Sequence, residues 1–182
     1  MKPWLRLLWL GLLVASSATL TAVYTCITPF AAFGVLAATT LSRRDGLLLM
    51  FVLWLANQAV GFAVLGYPWR ADTLGWGVAI GGAALIGTLA AQWAVRRLGS
   101  SRSLGQTVGA FLSAFVGYQL GLYALAVPFL SVAGAFAPGI IGQVLAVNVG
   151  ALIALVGVSQ LLAAVGASFH RRRAQASPAR FA

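Results

Sequence analysis

Five polar side chains lie in otherwise apolar runs, and their chemistry suits the binding of a small molecule. The stretch LWLANQAVGF places the carboxamides of Asn57 and Gln58 side by side, and later runs carry Tyr118, Gln119 and Asn148. Carboxamides and phenols donate and accept hydrogen bonds, and a buried polar group without a partner costs on the order of several kcal/mol. These residues therefore predict either a binding site or hydrogen bonds between neighbouring apolar segments.

Three further residues are candidates for contact with a ligand. Tyr67 and Trp69 belong to the polar stretch GYPWRAD, where they would line an entrance to the site or anchor the chain at a membrane surface. Cys26 carries a thiol, but a small residue at a helix end explains it better.

The sequence lacks the residues that catalysis or metal binding would need. Its acidic residues are Asp45 and Asp72, its one histidine is His170, and Cys26 is its one cysteine. No GxxxxGK[ST], HExxH or GxSxG pattern is present, and Cys26 has no neighbouring histidine or aspartate to activate it. We therefore expect a protein that is not an enzyme and has neither a metal site nor a cofactor.

Composition indicates the environment in which these side chains must lie. Of 182 residues, 61% are hydrophobic and 8% are charged, whereas a soluble domain carries roughly a quarter charged residues. The net charge of +10 does not indicate nucleic-acid binding, because the basic residues cluster between apolar runs, where they would meet the headgroups of membrane lipid. The sequence therefore predicts an all-α, polytopic membrane protein.

Apolar length and helix breaks predict six transmembrane helices in a single domain, residues 1–170, followed by a basic cytoplasmic tail, residues 171–182. The predicted segments are 5–25, 28–41, 46–66, 74–95, 104–130 and 139–166. The second is short, so it would be tilted, re-entrant or extended by its neighbours. Breaks are expected at SRRDG, GYPWRAD, RRLGSSRS and around Pro138.

The positive charges predict the orientation. With both termini cytoplasmic, only Arg70 of the 12 basic residues lies outside. The other basic residues are Lys2, Arg6, Arg43, Arg44, Arg96, Arg97, Arg102, Arg171, Arg172, Arg173 and Arg180. This distribution follows the positive-inside rule and predicts a multi-pass protein of a bacterial inner (plasma) membrane. The basic, apolar amino terminus also resembles a signal peptide, but apolar residues continue far enough for a retained first helix.

In this orientation most uncharged polar residues fall in the outer halves of the segments. We therefore expect a cavity open to the outside, with Asn57 and Gln58 at its floor. Arg70 and Asp72, the only outside charges, are expected to pair with each other. Small residues four apart predict close helix packing in the first, fifth and sixth segments. They are Gly11 and Ala15, then Gly105, Gly109, Ser113, Gly117 and Gly121, then Gly142, Ala146, Gly150 and Ala154.

The sequence combines six predicted helices, a polar outer half, and small residues on the first segment, namely Gly11 with Ala15 or Ala18 with Ala22. In these features it resembles the substrate-binding S-components of energy-coupling factor (ECF) vitamin transporters. The resemblance implies capture of a vitamin from outside. It also implies partners, namely a transmembrane coupling subunit that docks on the small residues and two ATPases that drive uptake. Because solitary S-components for cobalamin use a cysteine thiolate, Cys26 makes cobalamin or a precursor the first expected ligand.

Two other functions are compatible with the sequence. In a non-transporting scaffold or assembly factor, the amides would join helices and the small residues would bind partner proteins. A membrane enzyme that uses Cys26 has the least support, because no activating group accompanies the thiol.

Overall fold

The computed structural model describes Gly11 and residues 28–99, 103–130 and 134–175, with side chains described as far as residue 160. Within these ranges the chain forms five continuous α-helices and no β-strand. The helices are α1 (Phe30–Thr40), α2 (Arg43–Ala63), α3 (Ala71–Arg97), α4 (Leu104–Ala126) and α5 (Pro138–Gln175). Helices α2 to α5 are each long and apolar enough to cross a membrane, which agrees with the predicted class of membrane protein.

Helices α2 and α3 include charged residues that the predicted segments left out. Ser42 caps α2, its hydroxyl accepting a hydrogen bond from the Asp45 backbone N–H at 3.2 Å. The predicted break over SRRDG was therefore too long, since Arg43 and Arg44 already belong to α2. Likewise α3 continues through Arg97 into the stretch predicted as a break.

The ends of α4 and α5 also depart from the predicted segments. The described backbone of α5 is helical to Gln175, beyond the predicted end at 166 and into the predicted tail. The predicted fifth span ends early, at Ala126, and turns over residues 127–129. The predicted first segment, 5–25, lies outside the described residues except for Gly11.

Helix α1 is short and lies at the centre of the described bundle. Its residues from Phe30 to Ala37 are all buried, and it contacts each of the other four helices. Its 11 residues correspond to a length of about 16 Å, roughly half of the ~30 Å hydrocarbon layer. The second predicted segment is therefore too short to cross a membrane by itself, and one of its ends lies inside the bundle.

The closest helix pair, α3 and α4, packs through small residues of the predicted ridge. A Cβ atom on Gly117 would lie 2.9 Å from the Ala90 Cβ, and one on Gly121 would lie 3.3 Å from the Ala83 Cα. Glycine at these positions lets the two backbones approach closely, as the spacing predicted. In contrast, a Cβ atom on Gly105, at the start of the ridge, would have the Ser103 Oγ atom, at 3.9 Å, as its one neighbour within 4 Å among the described residues.

A hydrogen bond fixes which helix ends lie together. The Gln92 Nε2 atom, near the end of α3, donates to the Arg43 carbonyl at the start of α2 at 3.2 Å. The arginine pairs 43–44 and 96–97 are therefore at the same end of the bundle, and all four side chains are exposed. We call this end the arginine end, and the end that carries Arg70 the opposite end.

Candidate functional site

The amino-terminal end of α1 is the place where predicted site residues meet. Thr28 and Pro29, which precede the helix, are both buried. Pro29 is the N-cap residue, and its side chain cannot accept a capping hydrogen bond. A helix start carries backbone N–H groups without partners in the preceding turn, together with a partial positive charge. The Phe30 N–H donates to the nearby Thr28 carbonyl at 2.8 Å. Since this start lies inside the bundle, an N–H group without such a local acceptor needs one from another helix.

Asn148 of α5 supplies one of these acceptors. Its Oδ1 atom accepts a hydrogen bond from the Ala32 backbone N–H at 3.2 Å. Its Nδ2 atom donates to the Val144 carbonyl, one turn earlier in α5, at 2.9 Å. Asn148 is only 1% exposed, and both atoms of its carboxamide have protein partners. The residue therefore joins α5 to the start of α1.

Asn57 and Gln58 of α2 reach the same helix start from another side. The Asn57 Nδ2 atom donates to the Thr28 hydroxyl at 2.6 Å, and Gln58 Nε2 donates to Asn57 Oδ1 at 3.2 Å. Gln58 also packs against Gly77 of α3, since a Cβ atom built on Gly77 would lie 2.5 Å from Gln58 Oε1. The adjacent carboxamides thus form a hydrogen-bonded chain that ends at Thr28.

Tyr118 of α4 contributes an aromatic ring to this region. Its ring centroid lies 6.2 Å from that of Phe30, the first residue of α1. Gly87 makes room for Tyr118, because a Cβ atom there would lie 3.2 Å from the Tyr118 Cβ. We call Thr28, Asn57, Gln58, Tyr118 and Asn148 the α1 cluster.

Gln119 is not part of the α1 cluster, although the sequence predicted it as a binding residue. It is half-buried, and none of the hydrogen bonds between described residues involves its carboxamide. Consecutive side chains of a helix point about 100° apart, so Gln119 points in a different direction from Tyr118, which faces the start of α1.

Tyr67 and Trp69 form an aromatic group at the opposite end, beyond the end of α2. The Trp69 ring stacks on Phe62 with centroids 4.4 Å apart, and Tyr67 meets the edge of Phe62 at 6.1 Å. The Tyr67 ring also covers Gly61, where a Cβ atom would lie 2.6 Å from its Cε2. Trp69 is 75% exposed, so one of its ring faces is available to solvent, lipid or a ligand.

The expected pairing of Arg70 with Asp72 is present. The Arg70 Nε atom lies 3.3 Å from Asp72 Oδ1, and both side chains are exposed. An ion pair this exposed contributes little to stability. It does reduce the charge that Arg70 would offer to an anionic ligand.

Several polar contacts involve residues that the sequence analysis did not select. The Trp54 Nε1 atom donates to the Gly77 carbonyl at 2.8 Å, close to Gln58. The Gln106 Nε2 atom donates to the Val95 carbonyl in the last turn of α3 at 3.4 Å and to the Gly99 carbonyl beyond the helix. The Ser103 hydroxyl caps α4 by accepting from the Gln106 N–H. The spacing SLGQ, a serine three residues before a glutamine, was the available signal for the Ser103 cap at the start of α4. Thr28 had only its position before Pro29 as a signal.

The predicted role of Cys26 stays a prediction, because this residue lies outside the described residues. Among the described residues, no three histidine, cysteine, aspartate or glutamate side chains lie close enough together to hold a metal ion.

Known proteins offer no guide to the α1 cluster. Comparisons with protein-family models, curated proteins and solved structures found no match.

Proposed function

We propose that this protein is a transport subunit of a bacterial inner membrane that binds a small, vitamin-like molecule at the α1 cluster. The observation that carries the proposal is the meeting of three carboxamides with the buried start of a half-length helix. Discontinuous helices that start within the membrane, with polar groups around that start, are a recurring arrangement in transporters.

The proposed orientation has six spans and both termini in the cytoplasm. The arginine end, with Arg43, Arg44, Arg96 and Arg97 exposed, would then face the cytoplasm in accord with the positive-inside rule. Helix α1 extends from the centre of the bundle to this end, where α2 begins. Its buried start would thus face outward, and the aromatic group of Trp69, Phe62 and Tyr67 would lie on the ligand's path to the cluster.

The hydrogen bonds of the α1 cluster suggest how it would exchange partners. Without ligand, Gln58 donates to Asn57 and Asn57 donates to Thr28. A ligand with amide, hydroxyl or carboxyl groups would replace these bonds with its own, at small net cost because no polar group is left unpaired. The exposed face of Trp69 would stack on a planar part of the ligand.

Energy for uptake would come from partners. No nucleotide-binding loop occurs in the sequence, so an ECF-type coupling subunit with ATPases would drive transport. The small residues Gly11 and Ala15 would form the docking face for the coupling subunit.

The proposal is tested by binding of a vitamin panel, beginning with cobalamin and its precursors, to the full chain in lipid nanodiscs. Thermal stabilisation and native mass spectrometry should identify at least one ligand. Asn57→Leu should weaken its binding by about tenfold or more, because one hydrogen bond is lost and a neighbour is left unpaired. Thr107→Val, at the arginine end of α4, is the polar-to-apolar control and should bind normally. Absence of any ligand, or equal effects of the two variants, would contradict the proposal.

A non-transporting scaffold is the second candidate, and one observation favours it. The carboxamides of Asn57, Gln58 and Asn148 all have protein partners, as helix-joining groups would. In that case Asn57→Leu should lower the stability of the protein or of its complexes and leave small-molecule binding undetectable in every variant.

A further inference from the structure

The arginine end carries four positive charges that form no ion pair within the described residues. The four are Arg43 and Arg44 at the start of α2, and Arg96 and Arg97 at the end of α3. The acidic residue at this end, Asp45, accepts a hydrogen bond from the Ser42 hydroxyl at 2.8 Å. The ion pair among the described residues joins Arg70 and Asp72 at the opposite end. Exposed guanidinium groups gathered in this way attract an anion from outside the chain.

Gln92 holds the arginines of the two helices next to each other. Its Nε2 atom donates to the Arg43 carbonyl at 3.2 Å, and Arg96 follows one turn later on the same face of α3. The side chain fits because Gly46 of α2 has no Cβ atom, which would lie 2.9 Å from Nε2. The Gln92 Oε1 atom is buried without a hydrogen-bond partner among the described residues. The contact that aligns the arginines is therefore made at a cost that an apolar side chain would avoid.

Exposed apolar side chains continue from each arginine pair toward the middle of its helix. On α2, Leu48 lies one turn after Arg44 and is 62% exposed, and Val52 extends the same face by another turn. On α3, Trp93 lies one turn before Arg97, whose guanidinium carbon is 5.6 Å from the centre of the Trp93 ring. Trp93 is 54% exposed. A ligand that matches this surface has an anionic head and long apolar chains, as a phospholipid does, whereas an acidic protein segment would meet only the arginines.

We propose that the arginine end binds a phospholipid with two phosphates, of the cardiolipin type, where the start of α2 meets the end of α3. Each phosphate accepts hydrogen bonds from the arginines of one helix, and the acyl chains lie along the exposed apolar faces of α2 and α3. Two phosphates in one molecule match two arginine pairs held side by side, and basic pockets between transmembrane helices bind such headgroups. This inference concerns lipid binding and does not depend on the proposed transport function.

Lipid binding is measured by native mass spectrometry of the full chain in detergent, with cardiolipin or phosphatidylglycerol added at equal total phosphate. The wild-type chain should bind cardiolipin about tenfold more tightly, because one molecule engages both arginine pairs. Arg44→Gln together with Arg96→Gln should weaken cardiolipin binding by about tenfold or more. Arg172→Gln together with Arg173→Gln removes the same charge from the predicted basic tail and should leave binding unchanged. Equal affinity of the wild type for the two lipids, or equal losses in the two double variants, would overturn the proposal.

Two further measurements separate a shaped site from simple attraction between charges. Gln92→Leu keeps every arginine but removes the hydrogen bond to the Arg43 carbonyl, so the preference for cardiolipin over phosphatidylglycerol should fall. Gly46→Ala, which crowds the Gln92 Nε2 atom, should act in the same way and replaces Gln92→Leu if that variant fails to fold. An unchanged preference would refute recognition by aligned arginine pairs. A soluble polyglutamate peptide should not displace the lipid, and displacement at similar concentrations would assign the arginine end to an acidic protein partner instead.

Discussion

The Asn148 Oδ1 atom accepts the backbone N–H of Ala32 at 3.2 Å, joining residues 116 positions apart in the chain. Through this contact α5 satisfies a donor at the start of the buried helix α1. The arrangement replaces the local cap that Pro29 cannot provide. A helix that begins inside an apolar bundle therefore depends on a side chain from a distant helix.

Asn148→Leu should destabilise the protein by about 1–3 kcal/mol, because the Ala32 N–H remains buried and loses its acceptor. The measurement is unfolding in mixed micelles with increasing denaturing detergent. Gln119→Leu is the matched control, since Gln119 is half-buried outside the α1 cluster, and it should change stability less. Similar losses for both variants would contradict a special role for Asn148.

Asn57 and Thr28 should be energetically coupled, because the carboxamide donates to the hydroxyl at 2.6 Å. A double-mutant cycle with Asn57→Leu and Thr28→Val is expected to give a coupling energy of about 0.6–2 kcal/mol, as for other hydrogen bonds between membrane helices. The same unfolding assay measures it. Strictly additive losses would show that the contact contributes nothing to folding.

Gly87→Ala should destabilise the protein more than Gly77→Ala. A Cβ atom at Gly87 would lie 2.8 Å from the Ala114 backbone carbonyl, which cannot move without shifting α4. At Gly77 the nearest atom is the side-chain Oε1 of Gln58, at 2.5 Å, which can rotate away. We expect a loss of about 1–3 kcal/mol for Gly87→Ala.

Gly77→Ala has a different expected effect, namely on the hydrogen-bonded chain from Gln58 to Thr28. Displacing Gln58 would alter ligand affinity under the proposed transport function while leaving stability nearly unchanged. A larger stability loss for Gly77→Ala than for Gly87→Ala would contradict the distinction between a flexible and a fixed neighbour.

Single cysteines in a Cys26→Ser background should report the orientation. Leu98→Cys, at the arginine end, and Asp72→Cys, at the opposite end, are both exposed. A membrane-impermeant maleimide added to intact cells lacking an outer-membrane barrier should label Asp72→Cys and spare Leu98→Cys. Asp72→Cys removes the Arg70–Asp72 ion pair, which should lower the free energy of unfolding only slightly because both side chains are exposed. Reversed labelling would refute the proposed orientation.

Much of the helical architecture was predictable because it depends on composition along the chain. Apolar runs between charged stretches located α2 to α5 to within a few residues at most ends, since helix formation satisfies backbone hydrogen bonds in an apolar environment. Individual helix boundaries were less predictable. Ser42 draws Arg43 and Arg44 into α2 through a local cap, and arginine is a good helix former.

The candidate site was only partly predictable. Asn57, Gln58, Tyr118 and Asn148 could be selected because polar side chains in apolar runs need partners. The place where these side chains meet could not be predicted, since this place depends on where α1 begins and on which helices surround its start. Gln119 shows the same limit, because a sequence cannot tell which of two adjacent polar residues faces the cluster.

By itself the sequence determined that this is an apolar, helical protein with amides that must find partners and arginines that cluster between helices. These properties follow from the transfer free energies of individual side chains and of the backbone. Only the tertiary structure decided that a half-length helix lies at the centre and that Asn57 and Asn148 converge on its start. That outcome depends on where α1 begins and on contacts between distant residues, such as Ala32 with Asn148, which no local property of the chain specifies.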